Sequence, residues 1–349
     1  MDESLVDDYG HKLNIDDVDK MRLTFGKLYH FLARAFFDQG FGKKGKTLLK
    51  KSLKDYAARK HSILKEDLEN DPNSSQLLAG IVEEFSNVFQ IKTSPGSGEV
   101  IRISESPVFK AWEDLSLKSE EKSIADYYLS EVTGYLLQHE LEGVEEVASG
   151  SFSSSNRGAG EITLSYQGSD EALAGLTSPQ TPEDEVPALF KRCSDYWAYL
   201  YYFLAKNLIS LGQAGEASLR EAIREFGVHR GKILRREVLA SGQETTIKSL
   251  FENYDLPEDP RFEQDLIRQD EEVRVSKETR CNFSEVWGEL EDGWRIGRIY
   301  CEEVHHAFYS AFEPAIQVNI TQTLTRGDDY CDFVLFLRKA NKFRIEKGW

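Results

Sequence analysis

An α+β fold built as a tandem repeat is the class this sequence predicts. Three observations predict it. Two stretches match in order across the 349-residue chain, each opening on long runs of helical periodicity. Each matched stretch closes on short segments rich in β-branched and aromatic residues. A Pro-, Ser- and acid-rich segment separates them.

The repeat begins with two helices. Leu28-Tyr29-His30-Phe31-Leu32-Ala33-Arg34 matches Leu200-Tyr201-Tyr202-Phe203-Leu204-Ala205-Lys206, and Gly40 meets Gly212. With a small gap, Leu49 falls on Leu219, Leu53 on Ile223, Tyr56 on Phe226 and Lys60 on Arg230. The spacing predicts helices over Leu23–Asp38 and Lys46–Leu68, and over Ala188–Leu211 and Glu216–Ala240. Glycine adopts positive φ at little cost, so Gly40 and Gly212 suit the helix ends.

The correspondence resumes at Trp112 with Trp287, Tyr128 with Tyr300, Glu131-Val132 with Glu303-Val304, and Arg157-Gly158 with Arg326-Gly327. A third helix follows Cys281, and a fourth covers Ile299–Phe312, stopped by Pro314. Ile316–Thr325 and Tyr330–Arg338 predict an antiparallel hairpin turning at Arg326-Gly327-Asp328-Asp329. Each unit is therefore helices followed by a hairpin, and two such units suggest a pseudo-two-fold arrangement.

The expected organisation is an acidic tail over 1–19, a degenerate first repeat over 20–167, a linker over 168–187 and a second repeat over 188–349. Ser149 to Gly160 is Ser/Gly-rich and predicts a loop.

Composition narrows the function. Sixty acidic against 43 basic residues give a net charge of −17, so a phosphate backbone would be repelled and no nucleic-acid partner is expected. No apolar run reaches the ~20 residues of a membrane span, and Met1-Asp2-Glu3-Ser4 is acidic where a secretion signal is basic. A cytoplasmic protein acting on a small molecule is expected, either as a monomer with an internal pseudo-dimer or as a homodimer. The basic run Gly42-Lys43-Lys44-Gly45-Lys46 reads as a solvated turn. No Gly-rich phosphate loop, nucleophile elbow or His-Glu-x-x-His is present.

The cysteines carry the chemistry. Of the four, Cys193 reads as structural. Cys281, Cys301 and Cys331 align with Ser106, Leu129 and Ile162, so all three are absent from the first copy. His305 lies one helical turn after Cys301, and a thiolate beside an imidazole is an activated nucleophile. The same three thiols are candidates for a zinc or iron site, although the spacing lacks Cys-x-x-Cys pairs and gives an iron–sulfur cluster no specific support. Glu303 and His305 are the candidate proton carriers. Arg230 and Arg326 are candidates to hold a substrate carboxylate. A ligand-binding or metal/redox-sensing protein is the non-catalytic alternative, and a metal- or cluster-dependent lyase or redox enzyme is another.

The second copy also resembles a known family. Phe226-Gly227-Val228-His229-Arg230-Gly231, Tyr254-Asp255-Leu256-Pro257, Thr279-Arg280-Cys281-Asn282-Phe283-Ser284-Glu285-Val286-Trp287, Gly297-Arg298-Ile299-Tyr300-Cys301, Ala311-Phe312-Glu313-Pro314 and Thr323-Leu324-Thr325-Arg326-Gly327-Asp328-Asp329-Tyr330-Cys331-Asp332-Phe333 are similar to the L-2-amino-thiazoline-4-carboxylic acid hydrolase family. The resemblance implies a hydrolase that opens a 2-aminothiazoline ring to an N-carbamoyl-cysteine. Carried onto this chain, its candidate site residues are Cys281, Cys301 and Cys331.

Overall fold

A computed structural model describes residues 13–38, 40–67, 74–85, 89–94, 98–103, 106–115, 122–140, 144–153, 159–166 and 181–338. The chain is α+β and divides into two compact units, one over Lys12–Ser210 and one containing Leu211–Trp349.

In the first unit, α1 (Ile15–Ala35) and α2 (Gly42–Asp67) are the two expected long helices. The first starts eight residues early because Asn14 builds a capping box. Its side chain accepts from the Asp16 and Asp17 amides, and Asp17 accepts from the Asn14 amide. The expected acidic tail therefore cannot run to residue 19. Asp16 and Asp17 are the first turn of a helix, where carboxylates offset the helix dipole. Residues 1–12 lie outside the described residues.

Then come α3 (Ser74–Val82), β1 (Phe89–Ser94), β2 (Gly98–Ile103), α4 (Pro107–Asp114), α5 (Lys122–Tyr128), a π-helical turn at Leu129–Thr133, α6 (Gly134–Glu140), β3 (Val144–Ser153) and β4 (Ala159–Tyr166). The four strands form one antiparallel sheet in the order β1-β2-β4-β3. The segment Ser149–Gly160, expected as a loop, lies mostly in strands: Ser149–Ser153 end β3 and Ala159 starts β4. Ladder hydrogen bonds to β4 outweigh the weak strand propensity of serine and glycine there. The Arg157-Gly158 turn falls outside the described residues.

Most of the expected linker, 168–180, also lies outside the described residues. Its last residues already enter α7 (Val186–Ile209). This helix is buried on nearly every side, from Leu189 and Phe190 through Trp197 to Leu208, as suits a core helix. It packs on α1 and α2, so the compact units divide after Ser210, not at the Pro-rich segment.

The second unit begins with α8 (Gln213–Ala240) after Gly212, whose φ of 83° supplies the left-handed residue between helices. Next are α9 (Ile247–Glu252), β5 (Glu263–Gln269), β6 (Val273–Arg280), α10 (Asn282–Gly288), α11 (Gly293–Phe312), β7 (Ile316–Asn319) and β8 (Cys331–Leu337). The hairpin after α11 exists but is shorter than expected. Residues 320–323 leave the sheet, and a 3-10 turn at Leu324–Arg326 ends on Gly327 at φ 85°. Asp332 holds this excursion by accepting from the Thr321 and Gln322 amides.

The β5–β6 hairpin was not expected. Its β5 is mostly solvent-facing and polar, so it lacks the apolar alternation that marks a half-buried strand. With it, the sheet has the order β5-β6-β8-β7, the same order as in the first unit.

Helices α8 and α11 come close enough for their backbones almost to touch. A Cβ on Gly231 would lie 2.3 Å from the Phe308 carbonyl oxygen, and one on Gly227 2.8 Å from that of Val304. These two glycines, one turn apart, set the depth at which α11 sits under the sheet. Leu234, Val238, Phe308, Phe312, Ile316, Phe333 and Leu335 fill the space beside them.

Candidate active site

The unusual surface of the second unit is the inner face of β6. Successive side chains of a strand point to opposite faces. In Val273-Arg274-Val275-Ser276-Lys277-Glu278 the valines and the lysine take the less buried face, and Arg274 and Ser276 are buried. A polar row thus lies where a strand normally presents apolar residues. The register with β8 places Arg274 opposite Leu335, Ser276 opposite Phe333, and Glu278 opposite Cys331.

The three candidate cysteines meet this row at the Glu278 end. Cys281 follows β6 as the N-cap of α10, where its carbonyl accepts from the Ser284 hydroxyl at 2.7 Å. Cys301 lies on α11 and is hydrogen-bonded by Thr325. Cys331 opens β8, and its sulfur accepts from the Leu324 amide at 3.2 Å. All four cysteines of the chain are free thiols.

Burial dominates their ionisation. It pushes the Cys281 thiol up to about 11 and the Cys331 thiol up to about 12. Cys301 is raised well above the ordinary thiol range, first by burial and then by the charges that Cys281 and Cys331 would carry. Each is therefore a thiol, not a thiolate, at neutral pH. Burial likewise pushes the Glu278 carboxyl up to about 8, against the opposing pull of Arg274. Among these groups, Glu278 is the one whose proton moves near neutral pH.

His305 sits on the Cys301 side of α11, stacked on Tyr309 and edge-on to Phe333. Burial, then the charge of Arg230, lowers its imidazole to about 3. It is neutral and only weakly basic. Glu303 is turned away from the thiols. It accepts from Arg220 at 2.9 Å and Arg224 at 2.8 Å, in a network that also includes Glu302.

The two candidate arginines are both engaged. Arg230, buried, makes a two-pronged contact with Asp255 at 2.9 and 2.7 Å and lies over the rings of Phe226, Tyr254 and Phe308. Arg326 is 39% exposed and reaches Glu302 at 3.5 Å. The first unit holds a comparable buried pair. There, Lys60 is hydrogen-bonded to Glu84, which accepts from Tyr128 at 3.0 Å. Lys60 and Arg230 are matched positions of the sequence, as are Tyr128 and Tyr300. Cys193, also in the first unit, is buried, and its thiol is raised to about 12 by that burial.

A zinc or iron site needs three or four ligands converging on one point. Among the described residues, no group of three or more His, Cys, Asp or Glu side chains is placed to hold a metal ion. The three thiols are electrostatic neighbours of one another.

Glu278, Ser276 and Arg274 escaped the sequence reading. Their signal was the alternation of Val273-Arg274-Val275-Ser276, which marks a strand but hides which face is inward. Asp255 sits in the quoted Tyr-Asp-Leu-Pro stretch without any local hint of its partner.

Comparison with known proteins adds one match. Residues 189–335 match the L-2-amino-thiazoline-4-carboxylic acid hydrolase family. The matched span contains the polar row, all three thiols, Arg230, Asp255 and His305, and it does not extend into the first half. No curated protein and no solved structure matches the chain. The aminothiazoline-carboxylate hydrolase resemblance is thus a property of the second half at the family level. Among the described residues, no helix is long and apolar enough to cross a membrane.

Proposed function

We propose that the second half hydrolyses a small C–N/C–S heterocycle of the 2-aminothiazoline-carboxylate type, with Glu278 as proton carrier and Cys331 as nucleophile. The observation that carries this reading is the direct cross-strand pairing of Glu278 with Cys331 inside the family-matched span. Such partners on one face stand about 5 Å apart at Cβ. A carboxyl pushed up to about 8 is well matched to proton transfer near neutral pH.

Ionised Glu278 takes the Cys331 proton as the sulfur adds to the ring carbon between the hetero-atoms. Collapse breaks the bond from that carbon to the ring sulfur, which receives the proton from Glu278. The substrate is then an isothiourea on Cys331. Water adds to the same carbon, giving one proton to Glu278. Cys331 departs with that proton as the carbonyl forms, and the water's second hydrogen ends on the former ring nitrogen. One water is consumed, and an N-carbamoyl-cysteine with a free thiol is released. No metal enters this sequence. The first unit is proposed as a degenerate copy of the same fold, a reading supported by the shared strand order and the matched buried ion pairs.

The test is turnover of L-2-amino-thiazoline-4-carboxylate by the full chain, followed by release of product thiol. Glu278→Gln and Cys331→Ser should each lose about 10²-fold or more. Intact-mass analysis should trap the wild type carrying one substrate mass on Cys331. Undiminished turnover in either variant refutes the assigned roles.

A further inference from the structure

Among the described residues three arginines are buried almost completely: Arg22, Arg230 and Arg274. Arg22 is paired with Asp19 at 2.9 Å, and Arg230 with Asp255 at 2.7 Å. Arg274, 3% exposed, makes no ion pair with a carboxylate among the described residues; Glu278, further along the same face of β6, feels its charge but does not pair with it. The Arg274 guanidinium donates to the side-chain oxygen of Gln264 at 2.7 Å and to that of Gln269, and it lies 4.0 Å over the Phe251 ring. Two neutral amides and an aromatic face orient a guanidinium without neutralising it. A buried cation left this way is costly unless an anion completes it.

A second observation lies one rung along. Ser276 is 1% exposed, and its hydroxyl has no hydrogen-bond partner among the described residues. It sits between Arg274 and Glu278 on the same face of β6. A buried hydroxyl without a partner costs free energy, and in native proteins it calls for an explanation. A ligand oxygen is one that also accounts for Arg274.

We infer that Arg274 and Ser276 are the residues that hold the substrate carboxylate in the proposed hydrolytic site. This rests on the reading of the Glu278 and Cys331 end as the reactive end. Ser276 stands about 7 Å and Arg274 about 14 Å along the strand from Glu278, but the Arg274 guanidinium reaches back along the row to Gln264, the β5 partner of Glu278. A five-membered ring held at Cys331 can direct its carboxylate along the row toward Ser276 and Arg274. The subsite thereby also explains why Arg230, already bound by Asp255, is not needed for that task. Tyr309, on α11, lies within the field of both Arg274 and Glu278.

The experiment compares L-2-amino-thiazoline-4-carboxylate with 2-aminothiazoline, which lacks the carboxylate, as substrates and as ligands of the full chain. The wild type should prefer the carboxylate by roughly 10-fold or more in kcat/KM and in equilibrium affinity. Ser276→Ala and Arg274→Gln should bring that ratio close to one, and Arg274→Lys should keep part of it. A ratio unchanged in folded Ser276→Ala and Arg274→Gln overturns the subsite. Ser276→Ala removes one atom, so it keeps the test decisive if Arg274→Gln fails to fold. The binding arm separates the two readings. Selective carboxylate binding that depends on Ser276, without turnover, sustains the subsite and sinks the hydrolase. Turnover with no preference between the probes does the reverse.

Discussion

Glu278 stands directly across the β6–β8 ladder from Cys331, whereas the corresponding second and fourth strands of the other sheet place Ile101 opposite Ile162. A carboxyl–thiol pair occupies a rung that two isoleucines fill elsewhere in the same chain. Apolar residues are enough to build this rung, so the polar pair is an addition that folding does not require.

That carboxyl should set a pH dependence of stability. Its folded value is about 8 against an ordinary value of 4.5, so the folded state holds a proton that the unfolded chain has released. The contribution is fully present below about 4.5 and is lost as pH rises through about 8. Urea unfolding of the wild type should show this decline in midpoint between those values. Glu278→Gln should flatten it and be the more stable protein at pH 8.

His305 works in the opposite sense. Its folded value of about 3 lies below the ordinary 6.5, because burial and Arg230 disfavour the charged ring. The stability it contributes is present above 6.5 and falls as pH drops toward 3. His305→Phe should blunt that acid-side loss in thermal melts taken between pH 6.5 and pH 4. An acid limb identical to that of the wild type contradicts the assignment.

The Arg230–Asp255 pair predicts a large single-site effect. Asp255→Asn leaves a buried guanidinium without its counter-charge, at a cost of about 3–5 kcal/mol in chemical denaturation. Replacing both partners by apolar residues should cost much less than Asp255→Asn alone, because no uncompensated charge remains. A double variant as unstable as the single one would show that packing, not charge, dominates.

Gly231 tests the close approach of α8 and α11. An added methyl would meet the Phe308 carbonyl at 2.3 Å and the Ala311 methyl at 2.9 Å, so one helix must move. Gly231→Ala should lower stability by about 1–3 kcal/mol, despite the better helix propensity of alanine. It should also reduce turnover, because Phe308 and Phe312 of α11 pack in the same core cluster as Cys331. A variant as stable as the wild type would mean that the helices separate freely.

The sequence by itself determined the α+β class, the four long helices to within a few residues at most ends, the hairpin after α11, and the family resemblance of the second half. These rest on local signals: helical periodicity, glycine at positive φ, and contiguous motifs around each cysteine. The β5–β6 hairpin was illegible because its outer strand is mostly polar, its two apolar residues Leu266 and Ile267 are adjacent and exposed instead of alternating, and it is held by ladder hydrogen bonds that any side chain permits. The packing of α7 on α1 and α2 was equally hidden, since nothing local says which neighbours a helix apolar on most of its circumference chooses. The inward face of β6 was decided only in three dimensions. Alternation fixes which residues share a face, but the register with β8 and the depth of α11 determine that Arg274, Ser276 and Glu278 face inward. Burial then does what no linear spacing can: it keeps the thiols protonated, holds His305 neutral, and brings the Glu278 carboxyl into the range where its proton can move.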